Sequence, residues 1–181
     1  MIEKRRSKGM KVFHDVIITT SNGSRPTYHN ITKQVKEILE KSGVKNGICS
    51  VQSPHTTCSV VFEEFVHDTD FNGDEFLQVD LNRILDRIIP RELTENMDYR
   101  YPGPKHVDFL YSLDTPEFPT DPATILNADA HLRGSLLGSS ETFSIVDGKL
   151  QIGSVGYIYF IDWDQNRVRD RKCHVTIIGE E

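Results

Sequence analysis

Residues 53–64, SPHTTCSVVFEE, join a proline, a histidine and two threonines to an apolar run that ends in two glutamates. Pro54 cannot donate a ladder hydrogen bond, so it predicts a break between two strands, with His55 and Thr56 at a strand end that faces a cleft. Alternation along the following strand puts Glu64 in line with apolar neighbours. A carboxylate placed there needs a hydrogen-bond partner or a cation. The alternative is that Glu64 ends the strand in water.

Runs rich in β-branched and aromatic residues predict strands on both sides of this stretch. The Asp-Gly pair in VDGK is typical of a tight hairpin. In the first run, alternation puts His14 on one face with apolar residues, and a plain sheet histidine is the interpretation we favour. The predicted strand sequences are KVFHDVIITT, ICSVQ, TCSVVFEE, TFSIVDGKLQIG, YIYFIDW and KCHVTIIG.

Three segments carry apolar residues at helical spacing. The first, residues 31–42, lies between a capping Asn30 and a terminating Gly43. The second begins near Asn72 and Glu75 and stops at Pro90, and the third runs from a capping Asn127 to Gly138. By contrast, residues 99–126 are rich in proline, and their apolar residues follow neither helical nor strand spacing. This pattern predicts a long irregular loop, which is often a lid or part of a site.

Length and charge limit the class of protein. A chain of 181 residues forms one ordinary domain, spanning residues 1–181. The net charge of -6 argues against nucleic acid or an anionic membrane as partner, and the basic residues 1–9 are interpreted as a flexible tail. The chain has no apolar stretch of membrane length and no secretion signal, so we expect a cytoplasmic protein. Its three cysteines form no close pair, which suits a reducing compartment and predicts buried thiols.

A second chemical cluster is LNADAHLRG. Asn127, Asp129 and His131 lie in the first turns of a predicted short helix, where free backbone N–H groups favour an anion. An Asn cap and an Asp in the first turn are also ordinary helix chemistry. Together with His55 and His106, His131 gives three histidines from separate loops, as a zinc site with an open position requires. We therefore predict a divalent metal, zinc or magnesium, at His55, His106 and His131.

Taken together, HTTCSVVFEE, VDL in the second helix, NADAHLRGSLLGSS, VDGKLQIG and RKCHVTIIGEE resemble in order and spacing the YjbQ-like family, also called secondary thiamine-phosphate synthase. PGPKH and YIYFIDWDQNR resemble its longer branch. Two departures stand out. The family's Asn-Glu pair is Glu63 and Glu64 here, and its Gly-Thr-Trp-Gln is GSVG, residues 153–156, which lacks the Trp and Gln side chains.

The resemblance implies an α+β fold with mixed or antiparallel sheets and a few helices, assembled as a homotrimer around a three-fold axis. The run YIYFIDW, apolar on both faces, also favours an assembly that covers it. The implied reaction joins a pyrimidine diphosphate to a thiazole phosphate and releases pyrophosphate, so the implied ligand is a small phosphorylated substrate. The implied catalytic residues are His55, Glu64, Asp80 and His131, and the implied substrate-binding residues are Thr56, Thr57, Asn127, Asp129 and Gly153.

Two other functions stay open, because a fold does not establish a reaction. One is a trimeric protein that binds a small molecule or a metal without efficient chemistry. The other is a metal-dependent hydrolase that uses a zinc-bound water.

Overall fold

The computed structural model describes residues 9–94, 98–113, 115–116 and 119–181. Most of the predicted basic tail, residues 1–8, therefore lies outside the described residues. The described strands are β1 (Lys11–Thr20), β2 (Thr27–Asn30), β3 (Asn46–Gln52), β4 (Cys58–Glu64), β5 (Ser140–Val146), β6 (Lys149–Leu150), β7 (Gly156–Asp162) and β8 (Asp170–Glu180). The helices are α1 (Thr32–Ser42), α2 (Phe76–Ile88), α3 (Pro104–Leu113) and α4 (Ala128–Leu137), with a short 3₁₀ helix at Pro122–Ile125.

The strands form two antiparallel sheets. The larger sheet has the order β1-β8-β3-β5-β6, and the smaller has the order β2-β7-β4. The structure therefore confirms the predicted α+β architecture. No helix among the residues that the structure describes is long and apolar enough to cross a membrane.

Two apolar clusters hold the layers together. In the first, α1 and the inner face of the larger sheet pack against one face of the smaller sheet through residues such as Val35, Val175 and Phe160. In the second, the other face of the smaller sheet packs on α2 and α4 through Trp163, Leu85 and further residues. The cysteines Cys49, Cys58 and Cys173 are buried and free, as predicted.

The central strand of the smaller sheet, β7, is covered on both faces inside one chain. Ile158 and Phe160 lie in the first cluster, whereas Tyr159 and Ile161 lie in the second. The apolar run YIYFIDW therefore needs no neighbouring subunit to cover it, and this part of the argument for a trimer is wrong. Exposed apolar residues occur on the outer face of the larger sheet, among other places, and include Val12, Ile18 and Ile48.

Local signals in the sequence placed the helix ends well. Gly43 ends α1 in the left-handed conformation, with φ 72°, and Gly138 follows α4. The capping box of α2 lies three residues later than predicted, because Glu75 is the N-cap and Gln78 its partner. Asp147 and Gly148 have φ values of 50° and 74° and turn the predicted β5–β6 hairpin.

The region from 99 to 126 is not irregular throughout, which corrects the prediction of a long loop. It contains α3 and the 3₁₀ helix. None of the ten residues of α3 is buried, so this helix lies on the surface. Its proline-rich flanks obscured the helical spacing that lies between them.

Candidate functional site

A cavity of about 350 Å³ opens where the β3–β4 loop, the α3 region, the start of α4 and the segment leading into β8 meet. Both polar and apolar side chains line it, as is common in sites for small molecules. The lining residues are Pro54, His55, Thr56, Thr57, Tyr101, His106, Leu110, Pro119, Thr124, Ile125, Asn127, His131, Arg167, Arg169 and Arg171.

A close backbone approach brings α4 to the loop that carries His55. A Cβ atom at Gly134 would lie 2.7 Å from the backbone oxygen of Thr56. Any side chain here would therefore push the helix away from the loop. This contact places the predicted histidines 55 and 131 beside the same cavity.

The position and tautomer of His55 are fixed by two hydrogen bonds. Its backbone N–H donates to Ser53 Oγ at 3.0 Å, and its Nε2 accepts from the backbone N–H of Lys172 at 3.0 Å. A backbone N–H can only donate, so Nε2 is the acceptor and the proton of the neutral ring is on Nδ1. His55 lines the cavity and carries its ring proton on Nδ1.

Tyr101 lies between the other two histidines. Its hydroxyl is 3.4 Å from His106 Nε2 and 3.5 Å from His131 Nε2. Burial lowers the pKa of His131, and the charges of Arg169 and Arg171 lower it further against the opposing effect of Asp164. His131 is therefore held as the neutral imidazole, which can accept a proton or bind a metal.

Three arginines at alternate positions form the cationic wall of the cavity. Arg171 donates to both carboxylate oxygens of Asp162, at 2.7 and 3.1 Å, and to Thr57 Oγ1 at 3.0 Å. Arg169 is paired with Asp164, which is fully buried. The sequence analysis missed these arginines, although the spacing in RVRDR, residues 167–171, places all three on one side of an extended chain.

At the start of α4, the helix N-terminus is occupied by the protein's own carboxylate. Glu92 Oε2 accepts from the N–H of Ala128 at 2.7 Å, and the N–H of Glu92 donates to Asp129 Oδ1 at 3.2 Å. The prediction that this turn favours an anion holds, but the anion is Glu92. Asp129 is buried in this reciprocal contact and does not line the cavity.

Asn127, in contrast, lines the cavity, and one of its two side-chain polar atoms makes no hydrogen bond to the described residues. Its Nδ2 donates to Asp164 Oδ2 at 3.0 Å, and a carboxylate can only accept, so the amide orientation is settled. Asn127 Oδ1 is then buried without a hydrogen-bond partner among the described residues. A buried acceptor left unpaired costs about 1–3 kcal/mol, which a ligand or water donor would recover.

The model of the family described as UPF0047 protein YjbQ-like matches residues 16–180. The chain belongs to this family. A UPF0047 protein of Methanothermobacter thermautotrophicus is 28% identical over 83% of this chain and 82% of its own length. UPF0047 protein YugU of Bacillus subtilis is 25% identical over 83% of this chain and 88% of its own.

Solved structures agree with this assignment. A YbjQ-like protein of unknown function from Sulfolobus solfataricus has a TM-score of 0.69 and 28% identity, over 95% of this chain and 100% of that one. A YjbQ/UPF0047 family protein from Clostridium acetobutylicum has a TM-score of 0.62 and 30% identity, over 91% and 98%. Membership of the YjbQ-like family, as read from the sequence motifs, is confirmed. None of these four relatives is named for a reaction.

Four residues that the YjbQ-like resemblance assigned to the site do not line the cavity: Asp129, described above, and Glu64, Asp80 and Gly153. Glu64 ends β4 as an exposed residue opposite Gly156, which is the alternative left open by the sequence. Asp80 is exposed on α2, and Gly153 is exposed in the turn between β6 and β7. The cavity does receive His55, Thr56, Thr57, His106, Asn127 and His131.

The half-buried acid of the pair is Glu63 rather than Glu64. Burial, reinforced by the nearby charge of Glu75, raises the pKa of Glu63 to about 7, although a hydrogen bond from Gln78 opposes this effect. Glu75 is itself engaged, because it accepts from Tyr159 Oη at 2.6 Å and from the N–H of Val66 at 2.7 Å. Glu63 therefore sets a second carboxyl group beside the buried carboxylate of Glu75.

A three-histidine zinc site does not fit this arrangement. Nδ1 of His55 carries the proton, so it has no lone pair for a metal, and Nε2 is occupied by the N–H of Lys172. Across the described part of the chain, no group of three or more His, Cys, Asp or Glu side chains is placed to hold a metal ion.

Proposed function

We propose that this protein binds a small phosphorylated substrate in the cavity. The observation that carries the proposal is the convergence of Arg167, Arg169 and Arg171 on the space that His55 and His131 also face. Guanidinium groups match phosphate oxygens in charge and geometry, and they remain charged at any physiological pH. The cationic wall thus suits an anionic ligand of this kind.

The wall is organised before a ligand arrives. Asp162 accepts two bonds from Arg171, and Asp164 pairs with Arg169 and lies 3.9 Å from Arg171. Preorganised donors cost little to reorient on binding and act most strongly where water is excluded. Asp162 and Asp164 thus hold the guanidinium groups of Arg171 and Arg169 in place beside the cavity.

Further donors surround the same space. Phosphate oxygens can accept hydrogen bonds from His55 Nδ1–H and from the hydroxyl groups of Thr56 and Thr57. Asn127 Oδ1 can accept a hydrogen bond from a donor on the ligand. Leu110 and Ile125 supply an apolar wall for the carbon part of a ligand. A phosphorylated molecule with a small ring and an N–H or O–H group would satisfy all of these groups.

For the reaction, the proposal is a transfer of the thiamine-phosphate-synthase type, in which pyrophosphate leaves a pyrimidine diphosphate as a thiazole phosphate is joined to it. Charge grows on the leaving oxygens in such a step, and arginines with His55 Nδ1–H would stabilise it. In this scheme the family resemblance supplies the reaction, and the cavity supplies groups that suit it.

Binding without efficient chemistry is the second candidate. The described cavity-lining residues include no Asp or Glu, because Glu64, Asp80 and Asp129 all lie outside it. A transferase that needs a carboxylate base or a carboxylate-held magnesium ion would lack it here. This observation favours a trimeric small-molecule-binding protein over an efficient enzyme.

The homotrimer also remains a proposal, now on a different surface. Val12, Ile178 and Ile48 are paired neighbours across β1, β8 and β3 on the outer face of the larger sheet. Val12 is 65% exposed, and Ile18 and Ile48 are 57% and 45% exposed. The apolar row of Val12, Ile178 and Ile48 on this face suits contact with further copies of the chain. A cytoplasmic location fits the three free thiols and is proposed on that basis.

Calorimetric titration with pyrophosphate tests the proposed function. Replacing Arg167 with Met should weaken binding by about ten- to a hundredfold, as expected for one charge-assisted hydrogen bond. The matched control is Arg83→Met on the exposed surface of α2, which removes the same charge outside the cavity. Equal affinities in the two variants would contradict the proposal. Coupling of the pyrimidine and thiazole phosphates in wild type and His55→Ala then separates the enzyme from the binding protein.

A further inference from the structure

The hydroxyl of Tyr101, which lies between two cavity histidines, is farther from both imidazole nitrogens than is usual for a hydrogen bond. Tyr101 Oη is 3.4 Å from His106 Nε2 and 3.5 Å from His131 Nε2. Both ring centroids are 5.3 Å from that of Tyr101. Two nitrogen atoms thus face one oxygen at nearly equal distances.

These distances exceed those of good hydrogen bonds, which are about 2.7–3.2 Å for this kind of pair. They match the edge of a coordination tetrahedron instead. Ligand atoms about 2.0–2.1 Å from a zinc ion at tetrahedral angles are separated by about 3.3–3.4 Å. The Tyr101 oxygen is therefore about as far from each of the two histidine nitrogens as two ligand atoms of a common ion are from one another.

We propose that Tyr101, His106 and His131 form a binding site for a first-row divalent metal ion, and that His55 is outside the ligand set. This inference deepens the proposed function and rests on it only for the identity of the additional ligand. Two imidazole nitrogens and one phenol oxygen leave at least one position open in a four-coordinate site. The site differs from the three-histidine prediction because a tyrosine takes the place of His55.

The ligand chemistry of these groups sets the expected pH dependence. Histidine binds a metal as the neutral imidazole and tyrosine binds it as the phenolate, so metal binding should release the phenol proton of Tyr101. Metal affinity should therefore rise with pH.

The arginines make an anion the natural fourth ligand. A dication in a cavity lined by Arg167, Arg169 and Arg171 is repelled by their charges unless an anion lies between them. A phosphate group that bridges the metal and the guanidinium groups removes this repulsion. Metal and pyrophosphate should then each raise the affinity for the other by the same factor.

The test uses metal-free protein carrying His14→Ala. This background removes a competing surface pair, because His14 Nε2 is 3.3 Å from His174 Nδ1. Zinc is titrated by calorimetry, and Co²⁺ is titrated by its visible absorption, which reports coordination directly. We expect one equivalent of metal to bind per chain. Metal affinity should fall at least tenfold in each of the variants Tyr101→Phe, His106→Ala and His131→Ala. A tenfold loss is about the smallest expected when a group that holds a metal is removed. His55→Ala, the matched control, should keep its metal affinity.

The outcomes separate the two proposals. Absence of saturable metal binding overturns the metal site, as does unchanged affinity in Tyr101→Phe or a loss in His55→Ala equal to that in His131→Ala. Pyrophosphate that still binds when the metal is removed by a chelator would leave the phosphate function standing alone. A metal that binds without any effect of pyrophosphate would overturn the bridging anion while supporting the ligand set.

Discussion

Glu63 holds a carboxyl group where the fold disfavours its charge, so replacing it with Gln should stabilise the protein at neutral and higher pH. The shift of its pKa from 4.5 to about 7 reflects burial and the neighbouring Glu75. At about 1.4 kcal/mol for each tenfold change in proton affinity, this difference corresponds to about 3 kcal/mol. Because the side chain is only half-buried, solvent screening reduces the expected effect to about 1–2 kcal/mol.

The sign follows from proton linkage. The folded state binds the Glu63 proton more tightly than the unfolded state, so the wild type loses stability as pH rises from about 4.5 to about 7. Gln keeps the shape and cannot ionise. The advantage of Glu63→Gln should therefore be small near pH 5 and fully present above about pH 7.

Thermal unfolding followed by circular dichroism measures this effect. For a chain of this size, about 1–2 kcal/mol corresponds to about 2–8 °C in Tm. Protein concentration is held constant across the series, because assembly also shifts Tm. Glu64→Gln is the matched control, since its side chain is exposed one residue away, and it should change Tm little at any pH. A gain that is equal at low and high pH, or absent at high pH, would refute the electrostatic explanation.

Two other predictions concern the site and the assembly. Gly134→Ala places a Cβ 2.7 Å from the backbone oxygen of Thr56, so we expect the unfolding free energy to fall by about 1–3 kcal/mol and pyrophosphate binding to weaken. The control, Ser135→Ala at the exposed neighbouring position, should show neither effect. Wild-type stability in Gly134→Ala would contradict the close contact. Ile18→Lys puts a charge on the outer face of the larger sheet, so light scattering should show that the trimer dissociates. The control, Gln34→Lys on α1, should leave the mass of the assembly unchanged. A monomeric wild type would end the trimer proposal.

The fold was largely predictable because its signals are local. Alternation identified β1, the Asp147-Gly148 pair identified the hairpin, and Gly43 and Gly138 marked helix ends. The prediction failed for α3, where prolines on both sides of the helix hid ten residues of helical structure. Proline and glycine signal backbone breaks, but they do not show what lies between the breaks.

The candidate site was predictable only in part. Pro54 correctly indicated that His55 lies outside the strands, and Asn127 marked the start of the helix that carries His131; both histidines line the cavity. The arginines were missed because a charged alternating run usually faces water. Here two buried aspartates, 162 and 164, draw that run inward, and they come from the end of another strand.

The sequence by itself determined the alternation of the strands, the glycines that follow α1 and α4, and the family, because these depend on residues within a few positions of one another or on ordered motifs along the chain. Tertiary structure alone decided which of two adjacent glutamates is shielded from water, which nitrogen of His55 carries the proton, and which side chains share a cavity. Strand parity placed Glu63 and Glu64 on opposite faces, but only the packing of α2 against the smaller sheet made Glu63 the half-buried one. Burial, local dielectric and convergence depend on contacts between residues far apart in the chain, so no local pattern encodes them.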